Sequence, residues 1–116
     1  MKRTMPAERH GLVHRFAVAD LRGYIRVGHY EDGTLGEIFI SASKQGSFTR
    51  GLLSCLSIMI SVALQRGVSL EDIVAKLKHV HFEPYGVTHN REIPMADSVV
   101  DYVARWLELK YCSGKS

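Results

Sequence analysis

The sequence predicts an α+β domain in which an antiparallel meander of about three strands precedes three helices, with the central helix packed on the sheet. Two observations support this fold class. Apolar and polar residues alternate with a period of two up to about residue 41, and after Gly46 the apolar period becomes helical. A chain of 116 residues can bury one core, so we expect a single domain over 1–116, with loose termini at about 1–10 and 112–116.

Three short segments of the first half carry strand patterns. Alternation covers residues 12–18 and 24–30, separated by a turn, and returns at 35–41 after an Asp-Gly turn. Short connections between successive strands favour antiparallel pairing. In the second strand Arg26 falls on the opposite face from Ile25, which places its side chain away from the core.

The first predicted helix begins at Ser47, a candidate N-cap, and stops at Gly67. Its apolar residues cover much of its circumference, so we expect it to be buried against the sheet. Cys55 falls within the apolar stripe, which predicts a packing role for it.

Two further helices are predicted in the second half. A capping-box pattern opens a short helix over about residues 69–79, and an apolar face at helical spacing predicts another over about 96–111. Between them, residues 80–94 contain two prolines, and we expect a long irregular loop. Cys112 would lie in the tail.

Composition excludes several classes of function. The net charge of +3 is too small and too dispersed to predict duplex nucleic-acid binding. No uninterrupted apolar run reaches the ~18 residues of a membrane span, and the N-terminus does not resemble a secretory signal. Two cysteines cannot form a disulfide framework. We therefore expect a cytoplasmic protein without a membrane partner.

The first candidate site is residues 44–51, where a strand leads into the first helix. Unpaired amides, the helix dipole, hydroxyl groups and a cation together form an anion site. The predicted ligand-binding residues here are Gly46, Ser47, Thr49 and Arg50, with Arg26 as a further candidate. The Gly-Lys-Ser/Thr ending of a P-loop is missing. A capped helix start with a solvated Arg50 explains the same residues equally well.

The second candidate site is residues 81–91, within the predicted loop. An aromatic side chain could stack on a base, an asparagine could hydrogen-bond its edge, and an arginine could meet phosphate. The predicted ligand-binding residues are Phe82, Tyr85, Thr88, Asn90 and Arg91. In the alternative, which has equal weight, Phe82 fills the core and the prolines only turn the chain.

Signals for catalysis, metals and cofactors are missing from the sequence. His79 and His81 are two residues apart, but no Cys-x-x-Cys or His-Glu-x-x-His motif accompanies them. No nucleophile elbow and no paired carboxylates are visible. We therefore predict no catalytic residues, no metal and no cofactor.

Several blocks of sequence, in order over roughly residues 9–109, resemble the C-terminal accessory domain of adenosylcobalamin-dependent ribonucleotide reductases. These blocks are residues 24–33, 36–40, Lys44 with Gly46-Ser47, 63–65 with Gly67-Val68, 82–84 followed by Gly86, Thr88 and Asn90, and Ser98 through Asp101-Tyr102 to 105–107. The resemblance implies a free-standing accessory domain without reductase activity, because the barrel with its radical-bearing and reducing cysteines would lie in a separate region.

A second, weaker similarity is to the phage anti-Thoeris sponge family. Its members are oligomers that sequester cyclic ADP-ribose isomers, and sometimes cyclic oligonucleotides, without cleaving them. This similarity implies that Phe82 and Asn90 hold a small nucleotide-derived ligand and that the chain forms a homo-oligomer, a dimer or higher. The leading hypothesis is thus a nucleotide-sequestering sponge. The alternative is an accessory or assembly domain of a reductase, and an enzyme ranks last.

Overall fold

The computed structural model describes residues 3–112, and the predicted α+β class is confirmed. A three-stranded sheet precedes the first two helices, and a two-stranded hairpin precedes the last helix. The elements are β1 Gly11–Val18, β2 Leu21–His29, β3 Leu35–Ala42, α1 Ser47–Gln65, α2 Leu70–Leu77, β4 Gly86–Asn90, β5 Ile93–Ala96 and α3 Val99–Tyr111. The parts of the predicted loose termini at residues 1–2 and 113–116 lie outside the described residues.

The described residues form two compact units. The first contains residues 3–15 and 23–69, and the second contains 16–22, the tip of the first hairpin, with 70–112. The single-domain organisation expected from chain length stays a prediction.

In the first unit, β2 pairs antiparallel with β3, and the sheet has the order β1-β2-β3. The register sets Ile25 opposite Ile40 and Val27 opposite Ile38, and all four side chains are buried. Period-two alternation explains this, because residues of one parity share one face of a strand. The predicted meander is confirmed.

Helix α1 packs on the sheet as predicted, along its edge strand β3. The hydroxyl of Ser57 accepts a hydrogen bond from the Ile40 N–H at 2.9 Å, and the Ser61 hydroxyl accepts one from the Ile38 N–H at 3.0 Å. The amide of Gln65 donates to the Gly36 carbonyl at 3.1 Å. An open strand edge exposes such groups, and here the helix satisfies them.

The burial of α1 differs from the prediction. It has three buried residues, Leu53, Ser57 and Ile60, and Cys55 is exposed instead of packed. The reason is that the helix lies along one strand and not across the sheet, so its outward side stays exposed. Among the described residues, α1 is also the one helix with the length and apolar composition that a membrane crossing needs, although core helices meet the same criteria.

Residues 3–10 were expected to be loose, yet Arg3 has several partners in the first unit. Its guanidinium lies 3.7 Å from the centre of the Tyr30 ring and 3.1 Å from the Asp32 carboxylate. Asp32 also accepts hydrogen bonds from the side chain and backbone of Thr34. These bonds, then the Arg3 contact, lower the pKa of Asp32 to about 2.

In the second unit, α2 packs against α3, and α3 against β5. The Phe16 and Tyr102 rings stack with centroids 5.2 Å apart, and both are buried. The prediction of an irregular loop over 80–94 was wrong, because β4 and β5 form an antiparallel hairpin. Cys112, expected in the tail, is buried.

Candidate functional site

The predicted ligand-binding residues divide between the two units. Five of them, Arg26, Gly46, Ser47, Thr49 and Arg50, lie in the first unit. The other five, Phe82, Tyr85, Thr88, Asn90 and Arg91, lie in the second.

The start of α1 keeps most of the features predicted for an anion site. The helix begins at Ser47, but its N-cap is Gly46, and no side chain caps it. No acidic residue occupies the first turn, and Arg50 is exposed. The N-cap residue thus offers the first-turn amides no side-chain acceptor, and binding of an anion there stays a prediction.

Arg26 lies on the exposed face of β2, as the strand pattern predicted. It is paired with Phe39 across the sheet, and its guanidinium carbon lies 5.7 Å from the centre of that ring. Tyr24 and Phe39 are both partly exposed on the same face. This arrangement presents two aromatic rings and one cation, which could contact a planar anionic ligand.

The segment before β4 presents an exposed group of aromatic rings. The rings of His81 and Tyr85 lie 4.3 Å apart at an interplanar angle of 40°. Phe82 is 42% exposed, and its backbone N–H donates to the Asp97 carbonyl. The peptide bond between Glu83 and Pro84 is cis. Because Phe82 is not sunk in the core, it can contact a planar ligand.

Thr88 and Asn90 have partners within the second unit. Thr88 is buried, and its hydroxyl donates to the Ile93 carbonyl and accepts from the Asn90 N–H. The Asn90 side chain donates to the Tyr102 hydroxyl at 2.9 Å and accepts from the Glu92 N–H at 3.0 Å. The amide oxygen of Asn90 therefore stabilises the turn of the hairpin, and its NH₂ group links the hairpin to α3. Arg91 is exposed beside them.

The fully buried carboxylate of Asp101 organises the start of α3. It accepts hydrogen bonds from the His79 N–H at 2.6 Å, the Asp97 N–H at 2.8 Å and the Arg105 guanidinium at 3.2 Å. Burial raises the pKa of Asp101, but these bonds outweigh burial and hold the pKa below its ordinary value. The carboxylate is thus charged and structural.

His79, Asp97 and Asp101 form the one group, among the described residues, with the ligand atoms to hold a metal ion, all within 4.8 Å of one another. His81 lies 3.3 Å from the Asp97 carboxylate. A metal at this point would compete with the backbone N–H groups and with Arg105 for the Asp101 oxygens. We therefore assign the group a structural role.

The sequence reasoning missed this structural centre. Ser98 caps α3 by accepting from the Asp101 N–H at 3.0 Å, and its hydroxyl donates to the Val80 carbonyl at 2.6 Å. The signal was present, since Ser98-x-x-Asp101 before an apolar run has the spacing of a capping box.

The elements and contacts described so far define a small α+β domain in which short polar side chains form hydrogen bonds with backbone groups. Comparison with known proteins identifies the family. The TSCPD domain family matches residues 3–111, so the chain belongs to the TSCPD domain family.

Its relatives include much longer proteins, each named vitamin B12-dependent ribonucleotide reductase. The one from Rhodopirellula baltica is 46% identical over 110 residues, which is 95% of this chain and 11% of that protein. Those from Streptantibioticus cattleyicolor and Streptomyces avermitilis are each 40% identical over 111 residues, 96% of this chain, but 18% and 12% of their own lengths. No solved structure matches the chain significantly.

The resemblance to a reductase accessory domain is therefore confirmed, and the chain spans less than a fifth of the relatives named here. None of these relatives supports the similarity to anti-Thoeris proteins, which stays a prediction.

Proposed function

We propose that this TSCPD domain is a non-catalytic accessory domain of a vitamin B12-dependent ribonucleotide reductase and acts by contact with the rest of that enzyme in the cytoplasm. The observation that carries the proposal is the 46% identity over 95% of the chain to a reductase of which the match covers 11%. Such similarity, confined to one small part of a large enzyme, is typical of a separate structural module.

The polar chemistry of the described residues supports a role without catalysis. Asp101, Thr88 and Asn90, which could otherwise act as acids, nucleophiles or hydrogen-bonding groups toward a substrate, are each bonded to backbone or to a neighbouring side chain. We therefore assign the cobalamin and the reduction chemistry to the remaining length of the reductase.

Binding in trans tests the accessory role. The chain is mixed with a vitamin B12-dependent reductase truncated before its matching region, and complex formation is followed by sedimentation. We expect a complex with the truncated enzyme and little with the intact enzyme, whose own domain occupies the docking surface. No complex with either enzyme would contradict the proposal, and ribonucleotide reduction by the chain alone would contradict the non-catalytic assignment.

A second candidate function is capture of a nucleotide-derived ligand, for which the exposed Phe82 and the adjacent ring pair of His81 and Tyr85 are the specific observation. Exposed aromatic rings are the stacking surfaces that nucleobases use. The test is thermal unfolding with cyclic ADP-ribose isomers, cyclic oligonucleotides and nucleoside triphosphates. A ligand at 100 times its Kd stabilises a protein by about 2.7 kcal/mol, whereas unchanged melting across the panel argues against capture.

A further inference from the structure

The outward side of α1 carries five apolar side chains in one row. We call Phe48, Leu52, Cys55, Met59 and Val62 the α1 seam. The Phe48 side chain is 78% exposed and that of Met59 is 63% exposed, which is unusual for large apolar residues on one helix. The opposite side of the helix is the one bonded to β3.

The spacing of the α1 seam is that of a coiled-coil contact. Successive members are separated by four, three, four and three residues, the alternation of a and d positions in a heptad. The row therefore stays on one side of the helix over its whole length. Arg50 is the one charged residue in α1, and it is not part of the row.

We propose that the α1 seam is the interface between two copies of this chain, with their α1 helices antiparallel about a two-fold axis level with residue 57. In this arrangement Cys55 of one copy meets Met59 of the other, and Leu52 meets Val62. The positive end of each helix dipole then lies beside the negative end of the other. A row of this kind is self-complementary, as a two-fold interface requires.

The area of the α1 seam suits a second copy. Its exposed fractions correspond to on the order of 500 Å² of apolar surface per copy, so pairing removes on the order of 1,000 Å² from water, about the lower limit of a specific interface. A lipid bilayer is the less suitable occupant. To span one, α1 would have to give up the hydrogen bonds that Ser57, Ser61 and Gln65 make with the backbone of β3.

The first test compares two equivalent charge substitutions in the full chain, measured by sedimentation over a range of concentrations. Met59→Glu places a carboxylate in the α1 seam, and Met95→Glu makes the same change at a similarly exposed methionine on β5. We expect a wild-type dimer with a Kd on the order of 10 μM, a rise of about 100-fold or more for Met59→Glu, and little change for Met95→Glu. A monomeric wild type, or equal weakening by both variants, would overturn the proposal.

Circular dichroism melting of both variants verifies that each is folded. A second measurement locates the interface by protection of a thiol. Cys55 is exposed in a single copy, and Met59 of the other copy covers it in the dimer, so its alkylation by a maleimide, read by peptide mass spectrometry, should slow as protein concentration rises, and Met59→Glu should abolish this protection. A dimer without this protection would place the interface elsewhere. A monomer that floats with phosphatidylcholine vesicles would assign the surface to lipid. Neither measurement contains a reductase, so the accessory role is tested separately.

Discussion

The β3 edge in the first unit and the start of α3 in the second present the same physical problem and meet it differently. Both contain backbone N–H groups that have no acceptor in a neighbouring strand or helix turn. At the β3 edge, the neutral hydroxyl groups of Ser57 and Ser61 accept the hydrogen bonds from these N–H groups. At α3 a buried carboxylate, Asp101, accepts hydrogen bonds from the Asp97 N–H just before the helix and from the His79 N–H just after α2, and Arg105 balances its charge. The difference predicts that the stability of the α3 region depends on charge and pH, whereas that of the β3 edge depends on uncharged hydrogen bonds.

The largest effect is expected from Asp101→Asn. The amide keeps one acceptor oxygen, but its NH₂ group faces a backbone N–H, so one buried donor loses its partner and Arg105 loses its counter-charge. We expect the free energy of unfolding in urea at pH 7 to fall by about 3 kcal/mol. A loss below about 1 kcal/mol would mean that water replaces the carboxylate and that the site is less closed than its burial indicates.

The pH dependence of that loss sharpens the comparison. The pKa of Asp101 is lowered in the folded state, so the carboxylate stabilises the fold fully above its unfolded pKa of about 3.9. This contribution is lost as the pH falls through the lower folded-state pKa. Stability of the wild type and of Asp101→Asn should therefore converge in acid, when urea unfolding is measured from pH 7 to pH 3. A constant difference would show that the charge is not what stabilises α3.

The β3 edge is tested by Ser57→Ala, with Ser54→Ala as its matched control. Both changes add the same helix propensity to α1, but Ser54 is exposed, whereas the Ser57 hydroxyl is buried and accepts the Ile40 N–H. We expect Ser57→Ala to lower the free energy of unfolding by about 2 kcal/mol and Ser54→Ala to change it by less than about 0.5 kcal/mol. The Ser57 loss should be independent of pH between 4 and 7, and equal effects of the two variants would disprove the edge-satisfying role.

The hairpin gives a smaller effect through Asn90→Ala. This change removes an acceptor for the Glu92 N–H and a donor to the Tyr102 hydroxyl; the first of these bonds is exposed and the second is partly buried. We expect a loss of about 1.5 kcal/mol, measured by thermal unfolding. Asn90→Asp retains the acceptor for the Glu92 N–H and can accept a hydrogen bond from the Tyr102 hydroxyl, so it should lose less stability. If alanine and aspartate are equally tolerated, the asparagine side chain is not a structural bond, and ligand binding becomes the better account of it.

The same contrast explains what the sequence could predict. Alternation of Ile25 and Val27, and of Ile38 and Ile40, follows directly from strand geometry, so the meander was predictable. The role of Ser57 and Ser61 was not, because periodicity treats a serine in an apolar helix as an interruption and cannot show a strand edge beside it. Residues 80–94 were predicted to form a loop because they contain two prolines and Gly86. The β4–β5 hairpin instead depends on pairing between its two strands and on the buried Thr88 hydroxyl, neither of which a count of turn residues shows.

The sequence could predict which residue types form the candidate site, but it could not predict the role of each residue. Phe82 was expected at the surface as one alternative, and it is exposed. For Asn90 the residue type suits both a base edge and a hairpin, and only the neighbours in space separate the two. Ser98 and Asp101 carried a capping signal that local pattern could have identified.

The smallest effect on stability is expected from Phe82→Ala. This variant distinguishes a ligand-binding role of the 81–91 segment from a purely structural one. Because Phe82 is 42% exposed, removal of its ring should lower the free energy of unfolding by less than about 1 kcal/mol, well below the effect of a core truncation. If the aromatic group captures a nucleotide, the stabilisation seen with that ligand should vanish in Phe82→Ala while the unliganded melting temperature hardly changes. Val87→Ala, an exposed apolar change on β4, is the control that should keep the stabilisation. A large loss of unliganded stability in Phe82→Ala would instead show that the ring supports the fold, which would favour contact with a reductase over nucleotide capture.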